Sequence, residues 1–127
     1  MKKGFSLAEV IVAMAIAVIV SLLCYSTCNF AIMQMSNSKT KSFFASQTQN
    51  FVNCYYLGST EYADAINFLT GQTVTYGVNA TIYYAKDFSI SNQENSEYYI
   101  DLNFESESFV VKCVSNSSQK IIFEVEV

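Results

Sequence analysis

The chain contains no histidine, tryptophan, proline or arginine, and only four glycines among its 127 residues. Without histidine it has no Ser-His or Cys-His pair for nucleophilic catalysis, and no conventional zinc ligand set beyond four dispersed cysteines. Without arginine, and with seven scattered lysines, it lacks the basic face that phosphate backbones require, so intrinsic nucleic-acid binding is not expected. Carboxylate pairs do occur, Glu105 with Glu107 and Glu124 with Glu126, but residues two apart share one face of a strand and read as solvated faces or turns. Neither catalysis nor a metal or other cofactor is expected. The missing prolines have a second consequence. No Gly or Pro lies between Gly4 and Gly58, so nothing there interrupts a helix.

What fills that interval is an apolar run from Val10 to Tyr25, preceded by Lys2, Lys3 and a single carboxylate, Glu9. Glu9 is the only charge between Lys3 and Lys39. A carboxylate near the centre of a spanning helix costs roughly 2.5–3.5 kcal/mol on insertion scales, so something is expected to neutralise it. A secretory signal would need a small-residue Ala-x-Ala-like site after the run, whereas its exit is Ser21-Leu22-Leu23-Cys24-Tyr25. A lipoprotein signal would lipidate Cys24, but Leu23 stands where a small residue belongs. Lys2 and Lys3 favour a cytoplasmic N-terminus with the remainder outside, which makes the chain a single-pass membrane protein.

The opening Lys2-Lys3-Gly4-Phe5-Ser6-Leu7-Ala8-Glu9 resembles the class III signal of type IV prepilins and of the related pseudopilins of type II secretion and competence systems. The likeness lies in a short basic leader ending in Gly4, Phe5 as the new first residue, and a glutamate at the fifth position of the mature chain. It covers about the first quarter of the sequence. It implies that a prepilin peptidase cuts between Gly4 and Phe5 and methylates the new amine, leaving 123 residues with a net charge of −6 in place of −4. Such a cut puts a cation on Phe5, one turn from Glu9, in apolar surroundings where opposite charges attract far more strongly than in water. In a staggered bundle, the amine of an incoming subunit can meet Glu9 of its neighbour and set the register of assembly.

Beyond the apolar run, Phe30 to Tyr56 turns polar but keeps apolar residues at helical spacing. Phe44, Phe51 and Tyr55 fall near one stripe, with Phe43 and Cys54 beside it. A helix of about 50 residues, roughly 75 Å at 1.5 Å per residue, is expected to end at Gly58. Major pilins often carry a proline where this helix leaves the membrane, and its absence leaves Ser36-Asn37-Ser38-Lys39-Thr40 as the weakest helical stretch. A short helix from Glu61 to Leu69, closed by Gly71, is expected next. Period-two alternation then predicts strands. Tyr98, Ile100, Leu102 and Phe104 form one inward face, Phe109, Val111 and Cys113 a second, and Ile121, Phe123, Val125 and Val127 a third. Short links make this an antiparallel meander, with Val74 to Tyr84 adding a hairpin at its edge.

Cys24 and Cys28, one turn apart at the membrane boundary, read as small apolar residues. Cys54 lies near the packing stripe and Cys113 on an inward strand face, in an external domain where disulfides are permitted. A bridge between them would close a loop of about 60 residues and stabilise by about 4 kcal/mol in the chain-entropy model. The Tyr55-Tyr56, Tyr83-Tyr84 and Tyr98-Tyr99 doublets favour packing, one ring inward and one outward on a strand, with Tyr83 and Tyr99 placed to meet neighbouring subunits or a target surface.

The expected fold is therefore α+β: a long N-terminal helix, membrane-embedded in its first half, packed on a small C-terminal antiparallel β-meander. Residues 1–4 form a removable leader, 5–28 the membrane and assembly half of the helix, 29–57 its amphipathic half, and 58–127 a globular sheet domain. The resemblance implies a filament subunit, a minor pilin or pseudopilin, whose partners are other pilin subunits, the peptidase, an assembly platform protein, indirectly an assembly ATPase, and membrane lipid before assembly. A different reading of the same residues is a monomeric, membrane-anchored or lipidated surface binding protein.

Overall fold

The computed structural model describes residues 4–127. Helix α1 runs from Leu7 to Tyr56 and α2 from Tyr62 to Thr70. The strands are β1 (Ala80–Tyr84), β2 (Ile90–Ser91), β3 (Tyr98–Phe104), β4 (Phe109–Ser115) and β5 (Ile121–Glu126), with a 3-10 turn at Gln93–Asn95. The strands form one antiparallel sheet in the order β2-β1-β3-β4-β5. The α+β class and the β3-β4-β5 meander are as the alternation predicts. The chain divides into two compact units, Met1–Lys39 and Thr40–Val127.

In the first unit every described side chain is exposed, and valine, isoleucine, leucine and methionine occupy all sides of the helix. A helix apolar all round belongs in a core or a membrane. The 50 residues of α1 include a segment long and apolar enough to cross a bilayer, which takes about 20 residues. Its few hydroxyls do not disturb this. Ser21 Oγ donates to Ala17 O (2.8 Å), Ser26 Oγ to Leu23 O (3.0 Å), and Thr27 Oγ1 to Leu23 O (3.0 Å) and Cys24 O (2.9 Å), so each is satisfied within its own helix. The helix continues unbroken through Ser36-Asn37-Ser38-Lys39-Thr40.

The second unit is built on a seam of α1. Phe44, Thr48, Phe51, Val52 and Cys54 are buried there, and the sheet lays Ile82, Tyr84, Ile100, Leu102, Phe109, Val111 and Cys113 against them. Tyr55 stacks on Phe109 with ring centroids 4.6 Å apart, and Phe44 meets Tyr84 and Tyr98 edge-on at 5.8 and 5.1 Å. Such pairs add about 0.5–1.5 kcal/mol each beyond their burial. The helix ends at Gly58 (φ 90°), and α2 closes on Gly71 (φ 70°), whose N–H donates to Asn67 O at 2.7 Å. Both are left-handed positions that glycine takes without strain.

Two strand expectations are corrected. Only Ala80–Tyr84 of the hairpin expected over Val74 to Tyr84 is a strand, because Gly77 (φ 81°) turns the chain and Val74 is buried without strand pairing. The partner of β1 at that edge is β2, reached through a tight turn in which Ala85 N–H donates to Ser89 O and Phe88 adopts φ 67°. The Phe88 ring, stacked 4.5 Å from Phe43, holds that backbone, and Asp87 accepts from both the N–H and the hydroxyl of Ser89, which lowers its carboxyl pKa. In β5 a bulge opposite Cys113 and Val114 shifts the register, so Ile121 pairs with Val114 on the outer face while Ile122 packs on the core.

Cys54 and Cys113, the possible bridge of the sequence reading, are both free, buried thiols in the structure. Cys113 Sγ instead lies 3.3 Å from Thr48 Oγ1, six residues before Cys54 on α1 and therefore about 9 Å away along the helix axis.

Removing Phe51 should cost about 3–5 kcal/mol of unfolding free energy, the usual range for a buried ring, read by denaturant titration. Tyr62→Phe should do the reverse. The Tyr62 hydroxyl is buried without a hydrogen-bond partner, so deleting it should leave stability unchanged or raise it by about 1 kcal/mol. Alkali should weaken the fold. Burial pushes the Cys113 thiol from the ordinary 9.0 up to about 11, and the Tyr62 and Tyr84 phenols also rise. A raised folded pKa stabilises fully below the unfolded value and loses that contribution as pH climbs through the folded one, so Tm should fall between about pH 9 and 11 and Cys113→Val should flatten the early part of that fall.

Candidate functional site

Ser6 lies just before the first helical residue and Glu9 in the first turn. Ser6 N–H donates to Glu9 Oε2 at 2.8 Å, and Glu9 N–H donates to Ser6 Oγ at 3.3 Å. This reciprocal pair is a capping box, and it satisfies two backbone N–H groups that the helix cannot satisfy itself. Val10 N–H then donates to Ser6 O at 3.2 Å, the first turn of the ladder. The Ser-x-x-Glu spacing was legible in the sequence, but the charge of Glu9 drew attention away from its role as a cap. Ser6 is the functional-site residue that sequence reasoning passed over.

The carboxylate sits where two shallow apolar grooves meet. One runs along Phe5, Val10, Ala13 and Met14, the other along Ala8, Val12 and Ile16, and both include Glu9. Gly4, Phe5 and Ser6 close the N-terminal side. A carboxylate has about four lone-pair positions, so the bond from Ser6 uses one and leaves capacity for a cation. A negative charge at the positive end of a helix macrodipole is worth about 0.3–1 kcal/mol. The chemistry on offer is charge pairing.

Of the residues singled out from the sequence, Gly4, Phe5 and Glu9 come together in this first turn, while Lys2 and Lys3 lie outside the described residues. Cys24 and Cys28 are exposed on α1, and Cys54 and Cys113 belong to the core of the second unit. Among the described residues no three of His, Cys, Asp and Glu gather as a metal site.

Ser6→Ala removes one half of the capping box and should destabilise the helix start by about 1 kcal/mol. Amide exchange at Ala8, Glu9 and Val10 should accelerate severalfold in the variant while exchange in the sheet stays unchanged; equal protection in both chains would show that the cap contributes nothing.

Residues 1–25 match a family model described as the prokaryotic N-terminal methylation motif. Among curated proteins and solved structures, none matches. With Glu9 in the first turn of a helix that is apolar on every side from Val10 to Tyr25, the chain carries at its N-terminus the processing motif of the type IV prepilin and pseudopilin class.

Proposed function

We propose that this chain is a minor pilin or pseudopilin: a membrane-held precursor, cut between Gly4 and Phe5 by a prepilin peptidase, methylated on the new Phe5 amine, and drawn into a filament of like subunits. The observation that carries the reading is the methylation motif over residues 1–25, which from Leu7 onward is a helix with one early charge, Glu9. Before assembly the apolar part of α1 rests in lipid, with the N-terminus cytoplasmic and Thr40–Val127 outside. During assembly a platform protein, driven by an ATPase, moves the helix from lipid into a bundle of its own kind. The amine on Phe5 of one subunit pairs there with Glu9 of the next and fixes the axial step. The subunit's role is structural, and the filament is that of a pilus, a type II secretion system or a competence system. The small external domain and the lack of proline favour a minor pilin or pseudopilin over a major pilin.

Intact mass with N-terminal fragment mapping of the native protein tests the processing. The expected chain has 123 residues, begins at Phe5 and carries one added methyl group. A chain beginning at Met1, or a lipid on Cys24, would overturn the proposal in favour of a solitary anchored binding protein. Glu9→Ala tests the assembly step. The variant should enter the membrane and be processed normally, yet drop at least tenfold in sheared filaments; wild-type amounts there would sink the charge-pairing mechanism.

A further inference from the structure

The outer face of the sheet turns a second set of residues away from the α1 seam. Thr81 and Tyr83 of β1 stand opposite Asp101 and Tyr99 of β3, and the β4–β5 turn brings Asn116 and Gln119 over them. With Gln93 at the rim, these residues enclose a concavity of about 280 Å³. Its walls hold one another in place. Thr81 Oγ1 donates to Asp101 Oδ1 at 2.7 Å, Tyr99 Oη donates to Gln119 Oε1 at 3.2 Å, and Gln119 Nε2 donates to Asn116 O at 2.8 Å. Asn116 Nδ2 in turn donates to Ser96 O and Ser96 Oγ, both at 3.0 Å. Gln119 makes its two bonds from a left-handed backbone, φ 52°, a conformation that favours Gly and Asn. Neither glycine nor the shorter asparagine would reach both partners.

The lining decides what fits. It has no cation but holds the Asp101 carboxylate, so a phosphate, sulfate or carboxylate would meet like charge there. A wholly apolar ligand would strand the amides, hydroxyls and carboxylate that line the walls. A neutral polyhydroxylated ring satisfies both limits. Its hydroxyls donate to Asp101 and Gln119 Oε1 and accept from the second N–H of Gln119, while its C–H face lies on an aromatic ring. Tyr83 and Tyr99 offer such a face as two rings 6.2 Å apart, inclined at 51°. The volume lies just under the usual range for ligand sites, about 300–1,000 Å³, which suits one sugar ring rather than a long oligomer.

We propose that this concavity is a binding site for a single neutral hexopyranose unit, the exposed end of a surface glycan, with Tyr83 and Tyr99 as the stacking platform and Asp101 and Gln119 as the polar contacts. The site belongs entirely to the second unit, and its occupancy does not depend on processing at Gly4 or on filament assembly.

The test uses the full chain in zwitterionic micelles free of glycosidic detergent, with neutral methyl glycopyranosides as probes and saturation-transfer NMR as readout. Methyl glycosides of glucose, galactose, mannose and N-acetylglucosamine are compared with a sialic acid glycoside and with spermidine. At least one neutral glycoside should show transfer at millimolar concentration, while the sialoside shows none. Asp101→Asn and Tyr83→Leu should each weaken that binding about tenfold with Tm unchanged, and Lys86→Gln, outside the lining, should leave it intact. If Tyr83→Leu lowers Tm, the isosteric Asp101→Asn alone decides. No transfer to any neutral glycoside, transfer that survives Asp101→Asn, or a preference for spermidine would each overturn the proposal.

Discussion

The aromatic seam on α1 is the contact on which the second unit depends. Phe44, Phe51 and Tyr55 recur at helical spacing, and each meets a different part of the sheet: Phe44 the rings of Tyr84 and Tyr98, Tyr55 the ring of Phe109, and Phe51 the fully buried interior. A strand slipped by one residue would turn its inward side chains to solvent, so this face fixes the register of β3 and β4. The same helix is apolar all round from Val10 to Tyr25 and buries one side from Phe44 to Cys54, which is how one continuous element serves two surroundings. In the first stretch all faces must be matched by lipid or by other helices. In the second, one face is matched by the chain's own sheet.

How far the fold could be read from residues follows from how local each signal is. The limits of α1, the left-handed closures at Gly58 and Gly71, and the alternation of β3 and β4 depend on nearest neighbours, and the structure places them within a residue or two of expectation. The misread parts all depend on contacts distant in sequence. Gly77 resembles a hairpin turn, but Val74 is claimed by the core and β1 pairs instead with Ile90–Ser91, held by Phe88 against Phe43. Ile121 and Ile122 are equally apolar, and only the bulge opposite Cys113 decides which turns inward. Thr48 is polar, yet it lies in the core, where its hydroxyl meets Cys113 Sγ at 3.3 Å. Cys54, read near the packing stripe, and Cys113, read on an inward strand face, are both buried and free.

The candidate site was legible in part and for a different reason. Glu9 stands out because a lone carboxylate in an apolar run is costly, and the motif around it has a fixed spacing. Ser6 does not stand out, because its partnership with Glu9 is a helix-start signal of a common kind. The cavity on the outer sheet face was foreshadowed only by the outward-facing tyrosines, Tyr83 and Tyr99. Asp101, Asn116 and Gln119 join them through strand register and a turn that no local pattern announces.

The magnitudes at Glu9 separate two situations for the same side chain. At a helix start near the membrane edge, a charged residue costs less than the 2.5–3.5 kcal/mol of the bilayer centre. The cap contributes about 0.5–2 kcal/mol and the macrodipole about 0.3–1, so together they are comparable to that reduced cost and the single anchored helix is tolerated. Enclosing the same turn among other apolar helices removes the remaining water, and the cap does not grow to compensate. A cation does, because its attraction strengthens as the surroundings become drier. The capping box therefore makes the carboxylate acceptable in lipid without satisfying it in a bundle, and that difference is what would direct an amine toward it.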